Sequence, residues 1–143
     1  MEIKNKVQVK FLSLSENEIF ARTVVSAFML NLNPTLSELS DVKTAVSEAV
    51  TNSVVHGYAN TTGYISLNMV IKGNKIIIKI SDNGIGISDL KQALKPFYTT
   101  KPEQERSGMG FTIIQTFMED VKVKSSIGKG TIVTMSKTIG AKK

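Results

Sequence analysis

The segment from residue 64 to residue 86, YISLNMVIKGNKIIIKISDNGIG, decides how this chain folds. Apolar side chains occupy every second position in its first half and again in its second half, a period typical of strands with one buried face. Between the halves, Lys72-Gly73-Asn74-Lys75 is a hairpin turn. The segment therefore predicts two antiparallel strands that run into the glycine-punctuated stretch DNGIG.

The residues before this hairpin change to a helical period. Ser15 with Glu18, and Thr35 with Glu38, have the spacing of capping boxes. They predict one helix that runs to about residue 32 and a second that stops at Gly57. An alternating stretch, VQVKFL at 7–12, predicts a strand ahead of both helices.

The residues after the hairpin predict less regular structure and then a second hairpin. Short helices are predicted at 88–95 and 110–119, and the stretch between them, PFYTTKPEQERSGMG, has turn residues and no period, so it is predicted as a long loop. VKVKS and TIVTMSK form a last hairpin around SIGKG. Helices with a mostly antiparallel sheet predict an α+β two-layer sandwich, and the 143 residues fit one domain, 1–143.

Composition narrows the class of protein. Hydrophobic residues make up 41%, there is no cysteine, and no apolar run approaches the ~20 residues that span a bilayer. The start, MEIKNKVQVKF, lacks the apolar region of a secretory signal, so a cytoplasmic protein without a membrane partner is expected. The net charge of +6 comes largely from lysines near the end of the chain: Lys122, Lys124, Lys129, Lys137, Lys142 and Lys143. Because these lysines alternate along predicted strands or lie on the tail, they are interpreted as solvated, and no direct nucleic-acid contact is expected.

The second predicted helix carries Glu48, Asn52 and His56 at every fourth position. A step of four residues turns a helix by about 40° and climbs about 6 Å, so the three side chains form a slanted stripe. An exposed polar face would explain them, but an amide oxygen also suits Mg²⁺, and a carboxylate one turn away can accept a proton during phosphate chemistry. His56 in the last turn more often interacts with free carbonyls and the helix dipole.

Three glycine motifs favour an anionic ligand. Asp82 is predicted at the end of a strand with a free carboxylate that can accept from an exocyclic amine, and Gly84 and Gly86 let the backbone approach a flat ring. RSGMG at 106–110 precedes a helix and offers backbone N–H groups to phosphates. GKGT at 128–131 brings the hydroxyl of Thr131 near a base. Taken alone, each motif also fits an ordinary turn or helix start.

These motifs occur in one order that resembles the GHKL ATPase superfamily. VSEAVTNSVVHGY, DNGIGI and FYTTKPEQERSGMGFTIIQTFMEDV resemble in particular its anti-sigma F serine kinases, over nearly the full chain. The resemblance implies a Bergerat-type ATP-binding fold, with Glu48 as general base and Asn52 as Mg²⁺ ligand. It implies that Asp82 reads the adenine amine, with Gly84 and Gly86 beside it and Thr131 nearby. It implies a phosphate lid made of Thr99, Thr100, Lys101, Ser107, Gly108, Met109 and Gly110.

The resemblance also implies partners. Such a protein is a homodimer, joined through its first strand and first helix, that binds ATP or ADP. It inhibits a sigma factor of the sigma F type and phosphorylates a serine of an anti-anti-sigma protein, and Arg22 contacts both. A related stress-response anti-sigma kinase, a histidine-kinase ATPase module and a purely binding module remain alternatives. The last two are disfavoured because the single histidine lies in the nucleotide motif and because a passive pocket needs no base.

Overall fold

Five antiparallel strands form one sheet in the computed structural model, which describes residues 2–87 and 110–140. The strands are β1 (Ile3–Leu12), β2 (Tyr64–Lys72), β3 (Lys75–Asp82), β4 (Asp120–Ser126) and β5 (Gly130–Thr138). The helices are α1 (Asn17–Met29), α2 (Leu36–Asn52) and α3 (Gly110–Phe117). Their order across the sheet is β1-β2-β3-β5-β4. The predicted α+β class is confirmed, and no helix in the described ranges is long and apolar enough to cross a bilayer.

The core lies between one face of the sheet and the helices. Along β2 and β3 every second residue is buried, beginning with Ile65 and ending with Asp82, and these two residues are paired across the strands. Burial of each apolar side chain on this face contributes about 1.5–3 kcal/mol to the stability of the fold. Because a strand alternates its faces, the register that buries the isoleucines also turns Asp82 inward, at the point where β3 ends.

The two predicted helix starts have different outcomes. The capping box of α2 is confirmed, because Thr35 Oγ1 accepts from the backbone N–H of Glu38 and the Glu38 carboxylate accepts from that of Thr35. The box predicted at Ser15 is wrong, since α1 begins at Asn17 and no side chain caps it. The carboxylate of Glu18, which that box required, instead accepts from the Ser47 hydroxyl on α2. A hydrogen bond between two helices has thus replaced the predicted bond within the first turn of α1.

The second helix ends at Gly57, as predicted, but its last turn is π-helical. After Asn52 the chain widens into a π turn over Ser53–Gly57. A π turn inserts one residue into the helical ladder, so it rotates the following side chains relative to a regular helix, and such turns are frequent at functional sites. Here Ser53 and Gly57 are both buried against the end of β3.

Lys137, which was predicted to be solvated, holds the C-terminal end of α3. That interpretation of Lys137 is wrong: its Nζ donates to the carbonyl of Phe117 at 2.7 Å and lies 3.7 Å from Asp41 Oδ2. A cation that satisfies the free carbonyl at a helix C-terminus stabilises that end. This contact fixes α3 against α2 and β5, so the position of Gly110 at the other end of α3 is set by the core.

Candidate functional site

Asp82 is the centre of the site, and its carboxylate is buried at the end of β3. The residue is 5% exposed. Its Oδ2 accepts from the Ser53 hydroxyl at 2.6 Å, and its Oδ1 accepts from the backbone N–H groups of Gly84 at 2.9 Å and Thr131 at 3.3 Å. The expectation of a free carboxylate is therefore wrong. An ionised carboxylate offers about four acceptor positions, so three donors fix its orientation and leave about one for a ligand.

The glycines around Asp82 are required by close packing. A Cβ on Gly57 would stand 3.1 Å from three atoms of the Asp82 carboxyl group, and a Cβ on Gly84 would stand 2.1 Å from the backbone oxygen of Gly57. That same oxygen accepts from the N–H of Ile85 at 3.0 Å. The end of α2 and the loop after β3 are thus in backbone-to-backbone contact.

Gly86 joins this loop to the last hairpin. It has a φ of +80°, and a Cβ there would meet the backbone oxygen of Ser126 at 2.1 Å. The neighbouring carbonyl of Ile85 accepts from the N–H of Gly128 at 2.8 Å. The predicted glycine motifs at 84–86 and 128–131 are therefore brought together. Their glycines serve this chain contact, which accounts for them without a ligand.

Thr131 reaches Asp82 through its backbone. Its hydroxyl lies 2.8 Å from that of Ser125, and Ser125 Oγ also accepts from the N–H of Ile87 at 2.7 Å. The side chain that was expected to lie near a base is thus tied to a second hydroxyl. The backbone N–H of Thr131 is the group that touches the carboxylate.

Asn52 lies at the last regular position of α2, against the start of α3. A Cβ on Gly110 would stand 3.1 Å from both the Nδ2 and the Oδ1 of Asn52. The Nδ2 is buried and has no hydrogen-bond partner among the described residues. Because the two ends of an amide are interchanged by a half-turn, either the donor or the acceptor can occupy that position. A buried, unpartnered amide atom is costly unless a ligand satisfies it.

Glu48 lies one turn before Asn52 and is half-buried. Two positions on one helix separated by four residues face nearly the same way and lie about 6 Å apart along the axis. The structure thus keeps the predicted stripe of carboxylate and amide. His56 falls inside the π turn, so it leaves the regular spacing of that stripe.

Arg22 lies away from these groups, on α1. Its Nε is 2.6 Å from Glu18 Oε2, and its side chain is 37% exposed. Glu18 also holds Ser47, which directly precedes Glu48. The exposed part of the guanidinium is therefore presented from a fixed position, on the surface between α1 and α2.

Six of the predicted lid residues fall outside the described residues: Thr99, Thr100, Lys101, Ser107, Gly108 and Met109. The short helix predicted at 88–95 and most of the long loop also lie there. Gly110 is described, at the N-terminus of α3 and in contact with Asn52. Its predicted place beside the phosphates stays a prediction.

Sequence reasoning missed four residues that shape the site: Ser53, Gly57, Tyr58 and Ser125. Ser53 donates to the buried Asp82 carboxylate, a bond that the sequence did not predict. A signal existed, because Thr51, Asn52 and Ser53 are consecutive weak helix formers in the middle of a predicted helix. No local signal distinguishes Tyr58, whose partners lie on other elements.

The site combines a buried carboxylate beside a glycine-rich loop with an amide and a second carboxylate on an adjoining helix. No group of three or more acidic, histidine or cysteine side chains in the described ranges forms a metal cage.

Comparisons with known proteins show what the sequence and the fold of this chain are similar to. A family model described as a histidine kinase-like ATPase domain matches residues 13–137. The anti-sigma F factor of Thermoanaerobacter pseudethanolicus is 54% identical over 143 residues, which is 100% of both chains. That of Caldanaerobacter subterraneus is 54% identical over 140 residues, 98% of each. A solved structure of RsbU and RsbW domains from Mycobacterium tuberculosis has the same fold, with a TM-score of 0.68 at 15% identity over 95% of this chain and 32% of that one.

Proposed function

This chain belongs to the anti-sigma F factor family and carries a histidine kinase-like ATPase domain, and from that premise we propose that it is an ATP-dependent protein serine kinase that inhibits a sporulation sigma factor. It binds a sigma factor of the sigma F type and transfers phosphate to a serine of an anti-anti-sigma antagonist. The observation that carries the proposal is the buried, triply hydrogen-bonded Asp82 carboxylate, joined through Gly57 to the helix that bears Glu48 and Asn52.

Asp82 selects the adenine base. Its remaining acceptor position suits the exocyclic amine of adenine, whereas the oxygen at the same position of guanine would meet a negative charge. Gly84 and Gly86 let the loop after β3 pack against the backbone of Gly57 and Ser126, where there is no room for a Cβ, and this packing holds the loop beside Asp82. Base recognition and loop packing therefore depend on the same residues.

Asn52 fits a Mg²⁺ ion that arrives with the nucleotide. Its buried amide is unpartnered among the described residues, and an amide oxygen is a hard, neutral ligand. Mg²⁺ keeps several waters and bridges phosphates, so one protein ligand suffices. When bound, it neutralises charge on the phosphates. Gly110, beside the same amide, and the proposed lid residues from Thr99 to Met109 would supply N–H groups and the Lys101 cation to the phosphates.

Glu48 is the proposed general base. The serine hydroxyl of the substrate attacks the γ-phosphorus, its proton passes to the Glu48 carboxylate, and the bond from the γ-phosphorus to the bridging oxygen breaks to release ADP. Phosphoryl transfer depends mainly on positioning and charge neutralisation, and a positioned base contributes about 10²–10⁴ in rate. Glu48 lies one turn before Asn52 on α2, which supports a role for it beside the phosphates.

The protein partners are proposed to meet the surface that carries Arg22. The guanidinium is 37% exposed and held by Glu18, so it offers an oriented cation to a carboxylate on a partner. The protein is proposed to work as a cytoplasmic homodimer joined through β1, an edge strand of the sheet, and α1. An edge strand has unpaired backbone groups that a second copy can use.

The test of the kinase is Glu48→Gln, assayed with γ-labelled ATP and a candidate anti-anti-sigma protein. The variant is expected to lose at least about a hundredfold in phosphorylation rate and to keep its ATP affinity within a few-fold. Mapping the label to a serine would establish the acceptor. Full activity in the variant would remove Glu48 from its role, and ATP binding without transfer by the wild type would indicate a nucleotide-dependent binding module.

The partner surface is tested with Arg22→Ala. Binding to the sigma factor is expected to weaken about tenfold or more, while ATP affinity stays the same, since the arginine lies outside the nucleotide site. Thr23→Ala, which removes an exposed hydroxyl bonded only within α1, is the matched control. An equal dissociation constant for Arg22→Ala and the wild type would refute the assignment.

A further inference from the structure

Tyr58 follows directly on the π turn that ends the second helix, and it is buried, with 7% of its surface exposed. Its ring packs beneath the chain at Gly63, where a Cβ would stand 2.3 Å from the ring atom Cε1. Its backbone N–H donates to the carbonyl of Ser53 at 2.9 Å. The residue is therefore fixed from both its backbone and its ring.

The hydroxyl of Tyr58 makes two hydrogen bonds to backbone groups on other elements. It donates to the carbonyl of Tyr64 at the start of β2, and it accepts from the N–H of Asn83, both at 2.7 Å. Asn83 directly follows Asp82. The preceding residue, Gly57, holds the same loop two residues later, through its carbonyl and the N–H of Ile85.

We infer that Tyr58 is a positioning residue for base recognition: with Gly57, it fixes the loop after β3 so that Asp82 and Gly84 are set for the adenine ring before nucleotide arrives. This inference rests on the proposed nucleotide site. The loop is held at Asn83 by the phenol and at Ile85 by the backbone of Gly57, two points on either side of Gly84. Each held residue removes conformational freedom that binding would otherwise have to remove.

The same contact connects the two halves of the site. Tyr58 and Gly57 continue from the helix that carries Glu48 and Asn52, whereas Asp82 and Asn83 continue from β3. Because Tyr58 and Gly57 fix the end of the helix to the loop after β3, they set the distance between the parts of the site proposed for the base and for the phosphates. Loosening the contact should therefore weaken binding of the nucleoside part, without altering groups that touch the phosphates.

The first test uses the wild type without ligand. Asn83 is an exposed residue in a loop, so its amide hydrogen would exchange rapidly with solvent unless the Tyr58 oxygen protects it. Hydrogen exchange followed by NMR is expected to show that this amide is protected. Rapid exchange at Asn83 in the folded wild type would overturn the inference, whatever any variant does.

The second test is Tyr58→Phe, which keeps the ring and deletes the hydroxyl. Titrations are expected to show ATP and ADP binding weakened by a similar factor, about tenfold for the loss of two hydrogen bonds. Binding of inorganic tripolyphosphate is expected to be unchanged. In the kinase assay the KM for ATP rises, while kcat stays within about twofold. Tyr64→Phe, the same change at a side chain that is 57% exposed, is the control and should alter none of these values.

The outcomes separate positioning from general damage. Unchanged ATP affinity in a folded Tyr58→Phe protein, or equal weakening of ATP and tripolyphosphate, would overturn the inference. A wild type that binds tripolyphosphate and ATP equally well would instead refute the proposed adenine site itself. The ratio of the dissociation constants for GTP and ATP is a further measurement. This ratio should be smaller in Tyr58→Phe than in the wild type, because the loop after Asp82 has lost its fixed position.

Discussion

Removal of the Ser53 hydroxyl tests whether the buried carboxylate depends on a tertiary hydrogen bond. Ser53 is 6% exposed, and its hydroxyl lies 2.6 Å from Oδ2 of Asp82, which is 5% exposed. In Ser53→Ala the oxygen loses this donor and is too buried for water to replace it fully. A hydrogen bond to a charged group is worth about 1.5–3 kcal/mol.

The expected net loss of stability is smaller than the free energy of that hydrogen bond. Alanine is a better helix former than serine by up to about 0.5 kcal/mol, so Ser53→Ala should lower the free energy of unfolding by about 1–2.5 kcal/mol. For a chain of this size, that corresponds to a fall in Tm of about 3–10 °C. Ser26→Ala is the matched control, because the Ser26 hydroxyl bonds only to the carbonyl of Arg22 in its own helix.

The assay is urea unfolding of both variants, with Tm from calorimetry. Ser26→Ala should change stability by no more than about 0.5 kcal/mol. In an Asp82→Asn background, where the acceptor is neutral, the cost of Ser53→Ala should fall below about 1 kcal/mol. The reasoning is refuted if Ser53→Ala is no less stable than Ser26→Ala, or if its cost is undiminished in that background.

Three further substitutions probe other contacts. Gly84→Ala forces a Cβ to 2.1 Å from the backbone oxygen of Gly57, so it should abolish ATP binding or folding. Gly128→Ala has open space around the Cβ and a φ of +79°, so it should lower the free energy of unfolding by only about 1–2 kcal/mol. Equal Tm values for the two variants would contradict the packing described. Gly110→Ala crowds Asn52 and should reduce severalfold the gain in ATP affinity that Mg²⁺ provides, which is measured by comparing titrations with Mg²⁺ and with a chelator. An unchanged gain would count against Asn52 as a ligand. Thr35→Ala removes the cap of α2 and should cost about 1 kcal/mol in urea unfolding without changing ATP affinity, so a stability equal to wild type would mean that the cap contributes nothing.

The fold was predictable where a local pattern has a single physical meaning. The alternation from Tyr64 to Ile80 and the Gly73-Asn74 turn specify a hairpin, since the buried face fixes the register. The Thr35 cap was predictable because Thr35 and Glu38 lie three residues apart and bond to each other's backbone, and the Glu38 carboxylate keeps this bond although it also accepts from the N–H of Gly140. The Ser15 cap failed although its pattern is the same, because the Glu18 carboxylate contacts Arg22 one turn later in α1 and Ser47 on α2 instead.

The sequence predicted a set of residues for the candidate site, but it did not predict the contacts that those residues make. Asp82, Asn52 and Glu48 were identified from motif order and from their chemistry. The carboxylate of Asp82 was expected to be free, yet it accepts three hydrogen bonds, two of them from residues distant in sequence. Those donors come from a π turn and from a strand that pairs with β3. The weak helix formers at 51–53 mark the position of the π turn, but nothing local predicts which residue either donor contacts.

The sequence by itself determined the elements, their period and the order of the chemical groups, because these depend on neighbours within a few residues. Only the tertiary structure decided that Gly57 and Tyr58 hold the loop after Asp82, and that Gly110 packs on Asn52. These contacts join positions about 25 to 60 residues apart, and they form only once the sheet and helices have packed. Close packing at these contacts leaves no room for a side chain larger than that of glycine. Motifs that are separate in the sequence therefore lie together in one site.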